Sequence, residues 1–422
     1  MKKRHYVLAL LVSLSVITFL DRVCISVTGP RMQDELGITP ERWGWILGAF
    51  VLSYGLFQVP LGVWADRAGQ RRVLAAIVLW WSVFTALTGL ASGFAALIAV
   101  RFLFGIGEAG AYPAMSGAVS RWLPSTARAR AQGLIWGASR AGGALSPLLV
   151  VPIQAYLGWR AAFWILGAAG MAWVAAWLWW YRDNPSEQPG ITREELDELD
   201  PAKQTAGGPA LPWKQLFASR QLWLIMAMYW CYVWGSWFYF SWLHTFLVKG
   251  RGFGQSEMAI YSAFPFALGV SANVAGGFLS DRLSKLHGLR FGRCLMGSAS
   301  LAVSAMLLAS AALVTGKPAV VILLSLSFGV MDLMLPSAWA VCLDVGGKQA
   351  GLVSGAMNTA GNLGGFACTV LFGYIVTAFG YNAPLLVIAS MLMISAVLFT
   401  QIDPTRPLVA EEAGREGGVA AC

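Results

Sequence analysis

Twelve stretches of roughly 20 apolar residues recur along this chain, each bounded by charges, glycine or proline, and nothing else in it limits the fold as strongly. A bilayer core about 30 Å thick takes one helix of that length. The first six run approximately Tyr6–Thr28, Trp43–Ala65, Val73–Leu90, Phe94–Val119, Ala131–Ile153 and Ala161–Tyr181. The second six run approximately Leu222–Val248, Glu257–Ser280, Phe291–Thr315, Val320–Leu343, Gly351–Phe379 and Ala383–Ile402. Hydrophobic residues make up 57% of the chain and charged residues 12%, about half the charged share of a soluble domain. These values exclude a soluble enzyme and predict an all-α integral membrane protein with twelve transmembrane helices. The first stretch follows Met1-Lys2-Lys3-Arg4, is too long for a signal-peptide core and lacks a small-residue cleavage site, so it is expected to stay as helix one.

The net charge of +9 invites a nucleic-acid reading, but the positions of the basic residues argue against one. With the N-terminus inside, 21 of the 30 Lys and Arg residues fall on cytoplasmic segments and six on the opposite side. Lys348, Arg406 and Arg415 are among the 21; the remaining three, Arg22, Arg101 and Arg140, lie inside helices. Such asymmetry orients membrane proteins, so both termini are expected in the cytoplasm, and the short outer loops suggest a bacterial inner membrane. The one long loop is polar and carries the acidic run Glu194-Glu195-Leu196-Asp197-Glu198. It divides the chain into a bundle at 1–181, a linker at 182–219, a second bundle at 220–402 and a tail at 403–422.

The two bundles repeat a motif. Gly62-Val-Trp-Ala-Asp66-Arg67 closes the second stretch and Gly277-Phe-Leu-Ser-Asp281-Arg282 closes the eighth, 215 residues later, each followed by more basic residues. Two six-helix halves with one charged hinge at the same place form the pattern of a duplicated transporter. The loop Gly62-x-x-x-Asp66-Arg67-x-Gly69-x-Arg71-Arg72 resembles the signature of the major facilitator superfamily. More narrowly, the chain is similar to the anion:cation symporter family. The residues behind this are Asp21-Arg22, Tyr54 with Gln58-Val-Pro60, Arg101-Phe-Leu-Phe-Gly-x-Gly-Glu108, Arg121-Trp122-Leu-Pro124 and Trp242-Leu243. His244 departs from the pattern, since relatives usually carry proline there.

Ionisable residues inside apolar stretches cost at least about 2.5–3.5 kcal/mol at the bilayer centre and mark pathways or paired sites. Here they are Asp21, Arg22, Arg101, Glu108, Arg140 and Asp332. At about 1.5 Å per residue, Asp21 lies roughly 8 Å below the outer boundary and Arg101 roughly 10 Å below it. A pairing of Asp21 with Arg101 is the natural expectation. Glu108 falls about 10 Å deeper on the same face of helix four. Arg22 is turned about 100° from Asp21, so one of them serves helix four while the other faces the cavity. An anion that competes for the Arg frees the carboxyl to take a proton, which couples the two; purely structural ion pairs are the competing reading. Arg140 and Asp332 sit near mid-depth, either as a latch between halves or with Arg140 as a second anion contact. Asn358 and Asn362 share one helix face, suited to sugar hydroxyls or to a neighbouring helix. Tyr239 and Trp242 fit either a binding site or an interfacial belt.

The resemblance implies a proton-coupled or sodium-coupled carrier of organic anions. It assigns proton transfer to Asp21 and Glu108 and the substrate carboxylate to Arg22 and Tyr54, and it places polar substrate contacts near Arg140. Arg101, by its position beside the carboxyls, is expected to tune them within the same substrate site. Asp66, Arg67, Arg71, Asp281 and Arg282 are expected to tie helix ends and stabilise one access state. The expected cargo is a sugar acid such as a hexonate, hexuronate or aldarate, taken up with protons by a monomer in the lipid bilayer. No cofactor, metal or nucleic acid is expected. An exporter or exchanger of the same superfamily, or a non-transporting membrane sensor, is the alternative. Gly105-Ile-Gly107-Glu-Ala-Gly110 fits the dinucleotide expression but follows an apolar helix rather than a strand. No P-loop occurs, the six cysteines form no C-x-x-C pair, and no loop is large enough for a catalytic domain.

Overall fold

The computed structural model describes residues 2–199, 218–346 and 350–406. Lys348, Arg415, the rest of the linker and the remainder of the tail lie outside the described residues, as does the side chain of Asp66. Six helices form the first half: α1 (Lys3–Leu36), α2 (Pro40–Ala68), α3 (Gln70–Thr88), α4 (Phe94–Trp122), α5 (Ser125–Tyr156) and α6 (Trp159–Trp180). The second half holds α7 (from Arg220), α8 (Gln255–His287), α9 (Arg290–Leu313), α10 (Lys317–Gly346), α11 (Ala350–Phe379) and α12 (Ala383–Thr400).

Eleven of these are long and apolar enough to cross a membrane. The twelfth, α7, is held below that standard by Arg220, Gln221 and its many Trp and Tyr residues, yet it runs on in one piece. It is α-helical over Arg220–Trp237, widens into π-helical turns at Phe238–Trp242 and Phe246–Gly250, and is α-helical between them at Leu243–Thr245. Each wide turn adds a residue, so side chains beyond it rotate away from the 3.6-residue pattern.

α1 runs past the predicted end at Thr28 although Pro30 lies inside it. The lost N–H costs one helix bond, and partners on neighbouring helices hold the extension. Arg31 Nη1 donates to the Gln154 carbonyl at 2.7 Å, and the Glu35 carboxylate accepts from Trp159 Nε1 at 2.7 Å and from Arg160. Asp21 therefore sits about 22 Å below the helix end, rather than the roughly 10 Å that an end at Thr28 would give.

α4 and α10 are each broken near the middle. α4 is helical over Phe94–Ala109 and Ala111–Trp122, and α10 over Lys317–Asp332 and Leu335–Gly346. The cause is the same in both: Pro113 cannot donate to the Ala109 carbonyl, nor Pro336 to that of Asp332. The repeated motif packs on these prolines. A Cβ on Gly62 would lie 3.4 Å from Pro113 Cβ, and one on Gly277 would lie 3.9 Å from Pro336 Cβ.

The two halves meet through α1 with α7, α2 with α11 and α5 with α8. At the loop end, opposite both termini, Asp34 pairs with Lys249 (2.7 Å), Gln154 with Gln255 (3.4 Å) and Trp45 with Tyr374 (3.1 Å). Further in, Ser26 Oγ donates to the Ser241 carbonyl (2.7 Å) and lies 2.9 Å from His244 Nδ1. Backbones come close here: a Cβ on Gly44 would lie 2.9 Å from the Thr369 carbonyl oxygen, and one on Gly373 would lie 2.3 Å from that of Pro40. Asn358 Nδ2 donates to Gln58 Oε1 (2.7 Å) deepest toward the terminal end. Beyond it no side-chain hydrogen bond or ion pair joins the halves among the described residues. The terminal parts of α4 and α10 pack within their own halves, so the halves part toward the terminal end.

The described start of the linker docks on the first half. Neither α1 nor α3 has a side-chain N-cap of its own. Glu195, buried in a short helix (Arg193–Asp197), accepts from the Lys3 and Arg4 backbone N–H groups at 3.0 and 2.9 Å. Asp183 accepts from the Arg71 N–H at 3.0 Å. Gly69, at φ +84°, leaves room for it, since a Cβ there would lie 2.6 Å from Asp183 Oδ2.

Candidate functional site

Near mid-depth, where α1, α2 and α4 face the second half, two arginines and two carboxylates are buried together. Arg22 Nε donates to Glu108 Oε2 at 3.3 Å, with Nη2 3.1 Å from the same oxygen. Its guanidinium lies over Phe19, Phe50 and Tyr54, with ring centroids 4.9, 5.3 and 4.8 Å away. Phe19 touches Phe240 and Phe50 touches Trp237, both from α7, so this cage lies on the surface between the halves. The Arg22 side chain is 10% exposed while that of Glu108 is 0% exposed. Solvent therefore reaches the cation from the space between the halves and not the anion behind it. Glu108 Oε1 has no hydrogen-bond partner.

The expected ion pair between Asp21 and Arg101 is not formed. Both side chains are buried, and among the described residues neither makes a salt bridge within 4.0 Å. Arg101 packs on Phe50 (5.0 Å) and Phe104 (4.3 Å), and neither Asp21 oxygen has a hydrogen-bond partner. Glu108 and Arg101 both act on Asp21 through space, in opposite senses, and the Trp81 indole is its polar neighbour on α3. The reason is rotation about α1: Arg22 turns to α4 and takes Glu108, leaving Asp21 toward α3 and Arg101. Two guanidinium groups and two carboxylates thus balance with only one direct pair.

Across the interface, Arg140 on α5 pairs with Asp332 on α10, Nη2 to Oδ2 at 3.2 Å. This is the latch geometry that the sequence left open. Asp332 also accepts from Asn273 Nδ2 (2.8 Å) and Tyr232 OH (3.4 Å). Arg140 lies over Phe240 (5.4 Å) and Phe328 (5.7 Å).

The other expected contacts separate. Tyr239 OH donates to the Leu324 carbonyl (2.8 Å) and Trp242 Nε1 to that of Thr369 (3.0 Å), both fully buried. The wide turns of α7 aim them into the second half, so neither donor is free toward the interface. Asn358 is engaged with Gln58, whereas Asn362 Nδ2 is buried without a partner and packs at Gly55. Of the motif residues, Arg71 and Asp281 tie helix ends within their own halves. Arg71 Nη2 donates to the Leu178 carbonyl (2.5 Å), and Arg293 bridges Asp281 (2.8 Å) and Asp344 (3.3 Å). Arg67 and Arg282 are exposed, without an ion pair among the described residues.

Sequence reasoning missed Tyr112, Tyr232, Asn273 and the rings of α7 and α10. Tyr112 stacks on Trp136 (4.3 Å, 2° between planes) with its OH 3.2 Å from Ser15 Oγ. Its place one helical turn after Glu108 is the signal that would have found it. Tyr232 and Asn273 reach Asp332 from two other helices, which no local pattern reports.

The profile of the Major Facilitator Superfamily matches residues 11–369. The chain belongs to the major facilitator superfamily. This superfamily member is a multi-pass membrane transporter and not an enzyme. It is 36% identical over 408 residues to a Cupriavidus necator protein named as a probable sulfoacetate transporter, covering 96% of this chain and 94% of that one. It is 29% identical over 405 residues to a hexuronate transporter of Bacillus subtilis, covering 95% and 94%. The transporter fold also matches the crystal structure of a bacterial homologue of the human lysosomal transporter Spinster. The TM-score is 0.80 at 19% identity, over 95% of this chain and 97% of that one.

Proposed function

We propose that the protein takes up small organic anions together with protons, by alternating access around the Arg22–Glu108 site. One observation carries this reading: a group of two arginines and two carboxylates whose formal charges balance, with Glu108, Asp21 and Arg101 buried and Arg22 alone reached from the space between the halves. An anion arriving on Arg22 leaves the group with one negative charge too many. Burying an uncompensated charge is costly, and a proton on Glu108 or Asp21 restores neutrality. Glu108 is the acceptor nearest the event, because the anion takes the guanidinium it was using. Asp21, held by Arg101 through space, is the second carrier. Sodium is the alternative coupling ion.

The named cargoes of the two relatives support an organic acid between a two-carbon sulfonated acid and a six-carbon sugar acid in size. The distribution of Lys and Arg supports cytoplasmic termini in an inner membrane. With that orientation the halves part toward the cytoplasm. The reading is tested in proteoliposomes containing an internal pH dye, given hexonates, hexuronates, aldarates and sulfoacetate. Acidification driven by one class, and lost in Glu108→Gln, is the expected result. Flux driven only by sodium or by counter-substrate, without proton movement, overturns the coupling.

A further inference from the structure

The pair between the halves repeats the design of the pair within the first. Glu108 and Asp332 both stand at the breaks of α4 and α10, just ahead of Pro113 and Pro336. Each holds an arginine that lies over aromatic rings. Phe19, under Arg22, meets Phe240, under Arg140, edge to face at 5.7 Å. The two guanidinium groups therefore flank one aromatic contact at the centre of the interface. They are also alike in access: the Arg22 and Arg140 side chains are 10% and 12% exposed, while the carboxylates they bind are 0% exposed.

One difference gives the second pair its use. Among the described residues Glu108 has Arg22 as its only side-chain hydrogen-bond donor, whereas Asp332 keeps two neutral donors, Asn273 and Tyr232, if Arg140 leaves. Arg140 is thus the guanidinium that can be withdrawn from its carboxylate at the lower cost. Groups suited to hydroxyls are few nearby, since Tyr239, Trp242 and Asn358 spend donors on the protein and the buried Asn362 Nδ2 is left without a partner. Two cations against one such amide make charge the dominant means of recognition.

We propose that the transporter selects two-headed organic anions, dicarboxylates or sulfocarboxylates, with one acid group on Arg22 and the other replacing Asp332 on Arg140. This rests on the anion reading above and narrows it. A one-headed acid engages Arg22 and leaves the Arg140–Asp332 bridge intact. A two-headed acid takes both cations and removes the only ion pair that joins the halves near mid-depth among the described residues.

The test is equilibrium binding to the purified full-length protein at fixed pH and ionic strength, using matched acids: succinate against butyrate, galactarate against galactonate, and sulfoacetate against acetate. At least one two-headed acid is expected to bind about tenfold or more tighter than its match. That ratio falls below about twofold in Arg140→Gln/Asp332→Asn, a variant that conserves net charge. Should that variant not fold, Arg140→Lys is expected to lower the ratio at least threefold, since ammonium lacks the planar fork. Equal binding of one-headed and two-headed acids overturns the proposal while leaving the anion reading intact. So does a variant that weakens both alike, which would make Arg140 structural. Binding of no organic acid at all overturns both readings.

Discussion

Glu108 and Asp332 occupy corresponding places in the two halves, each buried where a proline interrupts its helix and each bound to an arginine from another helix. A broken helix bends more easily than a continuous one, since one ladder bond is missing there. The charged groups therefore sit where the halves flex. Replacing Pro113 or Pro336 by Ala restores that N–H donor and is expected to slow counterflow several-fold while ligand affinity changes less than about twofold. Equal losses in rate and affinity would argue that the prolines shape the site instead.

Arg22→Gln removes the one cation of the buried group that solvent reaches and is expected to raise the anion Kd about 10-fold to 100-fold. Arg22→Lys should recover part of this, because the point charge survives without the fork. Binding measured calorimetrically in detergent gives the comparison. An unchanged Kd in Arg22→Gln would place the anion elsewhere.

Glu108→Gln leaves exchange of substrate for substrate running while uptake driven by a pH gradient falls at least tenfold, because exchange needs no net proton movement. Uptake and counterflow assayed on one preparation separate the two. Asp21→Asn is expected to show the same split to a smaller degree.

Gly44 and Gly373 are where α2 and α11 come closest at the loop end. Gly44→Leu places a side chain against the Thr369 carbonyl and is expected to favour the state in which that end is parted. Labelling of a cysteine introduced near Trp45 should then rise several-fold with a membrane-impermeant reagent. No change in labelling would mean that the helices yield locally.

Glu195→Ala deprives α1 of the acceptor for two N–H groups, with an expected loss of about 1 kcal/mol read as a lower Tm. Glu198 beside it has a pH signature. Its hydrogen bond from Lys2 holds the carboxyl below the ordinary 4.5. A depressed carboxylate contributes above its ordinary value and loses that contribution as pH falls through the lowered one. The docking of Glu198 on Lys2 and Arg4 should therefore persist through neutral pH and loosen only in acid.

The crossing helices, their duplication and all six intramembrane charges were legible in the chain, because a charge in an apolar stretch needs no structure to stand out. Their partners were not. The choice of Glu108 over Asp21 as the anion tied to an arginine depends on the rotation of α1 against α3 and α4, which periodicity within α1 alone does not contain. The length of α1 beyond Thr28 was missed because Arg31, Asp34 and Glu35 look like a loop until Gln154, Lys249 and Trp159 are beside them. Tyr239 and Trp242 were placed on a regular helix, and the wide turns of α7 moved them. Pro113 and Pro336 were visible as residues, but that both stand just after a buried carboxylate emerged only with the fold.

The caps that Asp183 and Glu195 supply bear on how the chain can be divided. A gene cut after residue 199 leaves both acceptors on the fragment whose helices need them, so that fragment carries its own fastenings into the bilayer. A cut before residue 183 sends them away with the wrong piece, leaving α1 and α3 to fray at their starts. The two halves should thus reassemble into a working carrier when expressed separately from the first cut and fail from the second.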